Sequence, residues 1–259
     1  MKPEKQNNKR KVCKFCGETK NNFPNSHVIP HFLLKQCFDP EDKHRASVFR
    51  GNSQGGKEGL EQKNKKGNDV DNNLLCHECE TIFQQWEGPA SKVLYTPDGS
   101  QRIHKVERKE DIGLTYEVAS ALDYPTMKLF ILSILWRLSV STISIAKRVN
   151  LGPHEKTIKE ILLKKAPGAD TTYPIVIYKV IYNNEHPFFY STAFRYRLES
   201  RNCVCIFGGG YMFGVSMSNQ HKIPDHFLIF RIKSDGSAMI PYRDAMDFPE
   251  IKKLIKTPH

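Results

Sequence analysis

Apolar positions follow two rhythms along this chain of 259 residues. Up to about residue 95 the sequence is polar, Lys-rich and Gly/Asn-rich, with too little apolar material to build a core unaided. From Thr96 onward apolar residues recur with the spacing of an ordinary packed domain. The change predicts two units, 1–95 and 96–259, in a chain long enough to bury a sizeable core.

The long apolar run at 129–145 holds Arg137 near its centre, and Ser133, Arg137, Ser141, Ser144 and Arg148 recur every three to four residues as one polar stripe. That pattern predicts a largely buried amphipathic helix over 123–149 rather than a membrane span. Gly152-Pro153 opens a second helix, with Glu155 in its first turn and Lys164 and Lys165 in its last, as the helix dipole favours; it should end before Pro167. Strand-like runs follow at 173–182, 188–198, 203–207, 211–217 and 227–233, the last joined through Asp235-Gly236 to 238–242, and a short helix is expected at 248–255. Gly208-Gly209-Gly210 lacks the spacing of a phosphate-binding loop and reads as a turn or bulge. The class is therefore α+β, with two helices and a mostly antiparallel sheet after residue 95.

The cysteines add chemistry to the apolar-poor half. Cys13-Lys14-Phe15-Cys16 and Cys76-His77-Glu78-Cys79 are two Cys-x-x-Cys pairs. Each bends into a tight knuckle that presents both sulfurs to one cation, and two knuckles supply the four soft ligands that tetrahedral zinc prefers. A redox role would call for a single such motif at a strand-to-helix turn, so two pairs in one polar stretch favour metal. A structural zinc on Cys13, Cys16, Cys76 and Cys79 is expected, and the first unit would fold around it. Cys37, Cys203 and Cys205 read as buried or incidental thiols. With seven cysteines in all, a fully paired disulfide framework is excluded.

Lys and Arg number 39 against 28 Asp and Glu, a formal net charge of +11. Such a balance suits a polyanionic partner such as nucleic acid. An anionic membrane would attract the same charge, but residues 1–11 are charged and show no lipidation motif or apolar signal core. No membrane and a cytoplasmic location are therefore expected. Residues 50–73 carry five glycines and Lys57, Lys63, Lys65 and Lys66 with almost no apolar side chain, which predicts a loop. Such a run is either a solvated loop or, beside a phosphodiester site, a set of lysines that would contact phosphates in a salt-dependent, sequence-independent way, and its lack of stacking aromatics favours duplex backbone over single strands.

Ser26-His27-Val28-Ile29-Pro30 and Asn73-Leu74-Leu75-Cys76-His77-Glu78-Cys79-Glu80, set among the two cysteine pairs, resemble the HNH family of endonucleases. The likeness is to members with Ser-His-x-Ile-Pro followed at a distance by Leu-Leu-Cys-x-x-Cys-Glu, and it covers about the first 90 residues. Stretches 132–137 and 151–155 also look like segments that accompany this variant. The resemblance implies a ββα-metal fold, in which a β-hairpin and a helix clamp one divalent cation, Mg²⁺ or Mn²⁺, against the scissile phosphate. His27 is the candidate general base, since an imidazole can accept a proton from water near neutral pH. Glu80 stands where the family usually has its final His or Asn and is the candidate ligand of the catalytic ion. Asn73, or Asn72 beside it, would be the middle residue whose amide braces the loop carrying the base. Ser26 occupies the place of a metal-binding Asp in many members, and His31 and His77 read as surface or supporting residues.

Helical spacing from Cys79 places Glu80, Gln84 and Glu87 on one face and Ile82, Phe83 and Trp86 on another. Two turns, roughly 10 Å, separate Glu87 from Glu80, too far for the two carboxylates to share one ion, and Glu80 is the candidate ligand. The expected function is a metal-dependent endonuclease hydrolysing phosphodiester bonds in DNA, in defence against foreign DNA. The alternatives are a non-catalytic zinc-containing subunit that binds nucleic acid, or one that binds a protein partner or a second copy of itself through 96–259.

Overall fold

A computed structural model describes residues 10–35, 70–95, 114–143, 149–181, 193–195, 202–217 and 225–248, and the backbone path of 45–50, 59–64, 190–191, 196–198 and 201. In chain order the first part contains β1 (Lys11–Val12), β2 (Thr19–Lys20), β3 (Ser26–His27), α1 (His31–Lys35), β4 (Arg45–Arg50), β5 (Gly59–Asn64), β6 (Val70–Asp71) and α2 (His77–Leu94). Then come β7 (Tyr116–Ala119), α3 (Tyr124–Val140) and α4 (His154–Lys164). The last part holds β8 (Ile175–Ile181), β9 (Tyr190–Ser191), β10 (Phe194–Leu198), β11 (Arg201–Gly208), β12 (Tyr211–Ser216), α5 (Asp225–Phe230) and β13 (Ala238–Asp244).

The class is α+β, as the residue pattern predicts. The main sheet runs β10-β11-β12-β8-β13-β7, and every pair in it is antiparallel except β13 with β8. Period-two alternation sends its side chains into two cores. Ile175, Ile177, Val204, Ile206, Phe213 and Val215 face one side, where α3 lies, while Val176, Tyr178, Cys203, Cys205, Phe207 and Met212 face the side covered by Phe227 and Phe230 of α5. Both faces are covered, which is why these strands read as continuous apolar runs. The Gly209-Gly210 step, with φ of +59° and +82°, is the tight turn between β11 and β12.

Helix α3 is buried from Met127 to Leu138, Lys128, Ser133 and Arg137 included. Asp123 caps its start by accepting from Thr126 N–H at 3.2 Å. One side meets the sheet, where Phe130 packs edge-on against Phe213 at 6.2 Å between ring centroids. On the other, Trp136 touches Phe15 (5.3 Å) and Phe83 (6.0 Å). One continuous apolar core therefore runs from Cys13 and Phe83 through α3 to the sheet.

Several expectations need correction. The helix predicted over 123–149 ends at Val140, because Ser141 and Thr142 turn away to bond Asp71; Ser144 and Arg148 lie outside the described residues. A strand was expected at 227–233, but Phe227 and Phe230 are buried one helical turn apart in α5 while Leu228 and Ile229 stay exposed. Among the described residues the second half thus holds α5 as a helix beyond the two expected at α3 and α4. Residues 50–73 are not all loop, since β5 pairs antiparallel with β4 and β6 pairs with β3. Beyond Phe248, the expected final helix lies outside the described residues, as does Cys37. Among the described residues no helix is long and apolar enough to cross a membrane.

Candidate metal centre and active site

The first knuckle sits at the tip of the β1–β2 hairpin. Cys13 N–H donates to Glu18 O and Gly17 N–H to Cys13 O, each at 2.9 Å, and Gly17 takes the positive φ of +81° that closes the turn. The second knuckle is the start of α2, with Cys76 as N-cap and Cys79 in the first turn. Cys76 N–H donates to Cys13 Sγ at 3.3 Å, and Lys14 N–H donates to Leu74 O at 3.0 Å, so each knuckle positions the other. The four sulfurs lie within 4.8 Å of one another. A tetrahedron with zinc–sulfur bonds of about 2.3 Å has edges of about 3.8 Å. Cys16 Sγ and Cys76 Sγ are 3.9 Å apart. The cluster therefore fits a structural metal such as zinc.

Protonation follows from the same contacts. Burial pushes the Cys76 thiol up to about 12 and raises Cys79 further, with hydrogen bonding to Cys76 adding to it. Burial acts against Cys13 too, but backbone N–H groups of Cys16, Cys76 and Phe15 outweigh it and hold that thiol below its ordinary value. A cation entering the cluster must displace protons, so its uptake is pH-dependent.

Directly behind the knuckles, β3 and β6 pair antiparallel with Ser26 opposite Asp71 and His27 opposite Val70, and α2 follows. Ser26 is wholly buried, and its hydroxyl donates to Glu80 Oε2 at 2.7 Å. Burial raises the Glu80 carboxyl above its ordinary value, while the Ser26 hydrogen bond and the charges of Arg137 and His27 pull it down. His27, half-buried and next to Ser26 on the strand, is thus within electrostatic reach of Glu80. His31 is exposed with its ring 5.4 Å from that of His27, and His77 is exposed at the start of α2.

Asn73 is exposed, and its backbone N–H donates to Asp71 Oδ1 at 2.9 Å. Asn72 O accepts from Lys11 Nζ at 3.0 Å. The buried brace of this turn is Asp71, whose Oδ2 also accepts from Ser141 Oγ at 2.6 Å and Thr142 N–H at 3.1 Å. Asp71, together with Asn25, Val70, Asn72, Asn73, Thr142 and Ile143, lines an open cleft of about 450 Å³ beside the strand pair. The phosphate-binding lysines proposed from the sequence are not placed: Lys57, Lys65 and Lys66 fall outside the described residues, and of Lys63 only the backbone is described, in β5.

Sequence reasoning missed the contribution of α3. Arg137 Nη1 donates to His27 O at 2.7 Å and lies 2.7 Å from Glu87 Oε1. Among the described residues that oxygen has no hydrogen-bond partner, and the contact is an ion pair. The signal in the sequence is the polar stripe of Ser133, Arg137 and Ser141 along an apolar run.

Compared with models of protein families, with curated proteins and with solved structures, the chain matches none.

Proposed function

We propose that this chain is a metal-dependent endonuclease of HNH type that hydrolyses phosphodiester bonds in DNA, with defence against foreign DNA as its setting. The observation that carries the reading is the 2.7 Å bond from Ser26 to Glu80, with His27 as the next residue along the strand. It joins the strand that carries the imidazole to the helix that carries the carboxylate, and that helix starts at the cysteine cluster. In this reading His27 takes the proton of the attacking water. Ser26 orients the Glu80 carboxylate by donating to one of its oxygens and leaves the other for an ion. A Mg²⁺ or Mn²⁺ site needs only one or two protein carboxylates, the rest of its shell being water and substrate phosphate, so Glu80 would supply the protein ligand while His27 is kept for the proton. When bound, the ion neutralises charge developing on the leaving 3′ oxygen.

Nicking of supercoiled plasmid by the zinc-loaded chain, with Mg²⁺ or Mn²⁺, tests the proposal. Wild type should cut, while His27→Ala and Glu80→Gln, carrying about one zinc per chain and folded, should lose at least about a hundredfold in rate. Cutting that survives in His27→Ala would show that another group is the base. An inert wild type would favour a zinc module that binds without cutting.

A further inference from the structure

We propose that Arg137 is the positioning residue of this site: from α3 it fixes the backbone at His27 and so sets where the imidazole stands. This rests on the nuclease reading above. Arg137 is fully buried in a helix that is otherwise almost wholly apolar. Burying a guanidinium costs several kcal/mol unless its donors are met, and an apolar side chain of similar volume would pack there without that cost. Its donors are spread over named acceptors. Nη1 serves His27 O and faces Glu87, Nη2 reaches Ser133 Oγ at 3.3 Å, and Nε reaches Ser133 O at 3.4 Å. Ser133 Oγ is itself anchored to Phe130 O at 2.6 Å, and the guanidinium lies over the Phe83 ring at 5.3 Å from its centroid. The side chain is thus held on several sides, and its one bond outside the α2–α3 pair goes to the carbonyl of the candidate base.

The bond spans 110 positions of sequence, so a helix after residue 95 supplies part of a site otherwise built before it. An arginine serving only to join α2 and α3 needs Glu87 and Ser133 alone. The His27 bond is what that role leaves unexplained.

Three variants of the full chain separate positioning from glue: Arg137→Lys, the charge-neutral Glu87→Gln/Arg137→Met, and His27→Ala as reference. Two readouts are taken on zinc-loaded, folded protein: kcat and KM for plasmid nicking with Mn²⁺, and the His27 imidazole proton resonance, assigned by its disappearance in His27→Ala. Expected for the double variant is a kcat about a hundredfold lower with KM for DNA unchanged and the His27 resonance moved. Arg137→Lys should recover part of that rate, because a lysine keeps the charge but cannot reach both acceptors with one planar fork. An unmoved His27 resonance in both variants overturns the proposal whatever the rate. So does a moved resonance at unchanged kcat, or a loss of rate that only follows loss of zinc or of melting temperature. If wild type does not cut yet the resonance moves, the nuclease reading falls while the link from Arg137 to His27 stands.

Discussion

Asp71→Ala removes the carboxylate that ties β6 to the end of α3. The carboxylate is 2% exposed and accepts from Asn73 N–H, Ser141 Oγ and Thr142 N–H. Asn73 is exposed and can turn its N–H to water, so the loss falls on Ser141, which is buried, and on Thr142. Hydrogen bonds to a charged acceptor contribute about 1.5 to 3 kcal/mol each, so the two put the change at about 3 to 6 kcal/mol. For a chain of this length that is a fall in melting temperature of about 6 to 24 °C. Asp71→Asn keeps the shape and one acceptor oxygen but cannot carry the charge, and pH distinguishes the two effects. Burial acts to raise the Asp71 carboxyl, but the bonds from Ser141, Asn73 and Thr142, with the Lys14 charge, prevail and hold it below its ordinary value. A carboxyl lower in the folded than in the unfolded chain contributes stability above the unfolded value, about 3.9, and loses it as pH falls through the folded one. Melting curves of wild type and Asp71→Asn should therefore differ most above about pH 5 and converge towards pH 2. Acid also strips metal from thiolates, but it does so in both proteins, and the difference between the curves removes that effect. A gap that stays constant between pH 7 and 3, or a variant within about 0.5 kcal/mol of wild type, would refute the assignment of Asp71 as a charged tie.

Metal analysis of purified protein should give about one zinc per chain, and Cys76→Ser should lose both the metal and the cooperative melting of residues packed on the cluster. Retention of both would remove the structural role of the four cysteines. Lys128→Met tests a second buried charge, whose Nζ donates to Tyr124 Oη at 3.0 Å, Ala169 O at 2.7 Å and Thr172 O at 2.5 Å. Burial pushes this ammonium down to about 8, against the opposing charge of Asp170. A lysine lowered on folding weakens the fold while it must stay charged, so wild-type stability should rise between about pH 8 and 10.4 relative to the methionine variant. Parallel pH curves for the two would contradict that.

How much of this was legible in the chain depends on whether the cause of each feature is local. The metal cluster was, because two Cys-x-x-Cys spacings specify knuckle geometry within four residues each, and the four sulfurs converge. Helix α4 was too, since Gly152-Pro153 and the charges at its ends act on the helix they belong to. Strands β8, β11, β12 and β13 show as apolar runs bounded by turn residues. The error at Phe227-Leu228-Ile229-Phe230 is of a different kind: four apolar residues in a row carry no period, and neither helix nor strand can be read from them. What decides is tertiary. The two phenylalanines one turn apart both find the outer face of the sheet, and the chain then resumes pairing at Ile232, whose N–H donates to Ile175 O at 2.9 Å.

The parts of the site that escaped the sequence share a physical cause. The contacts of Arg137 with His27 O and of Ser141 with Asp71 join residues 110 and 70 positions apart, and in each case the acceptor is a group every chain has or a residue with many roles. A backbone carbonyl leaves no mark in a sequence, and an aspartate in a strand reads as a surface charge. The donors did leave a mark, as a polar stripe down an apolar helix. A stripe on a helix that is buried all round cannot face water, and burial of Ser133, Arg137 and Ser141 obliges each to find its partner inside. Polar positions in the most apolar segment are therefore addresses for polar partners elsewhere in the fold. For Arg137 and Ser141 the strand pair bearing His27 and Asp71 supplies such partners.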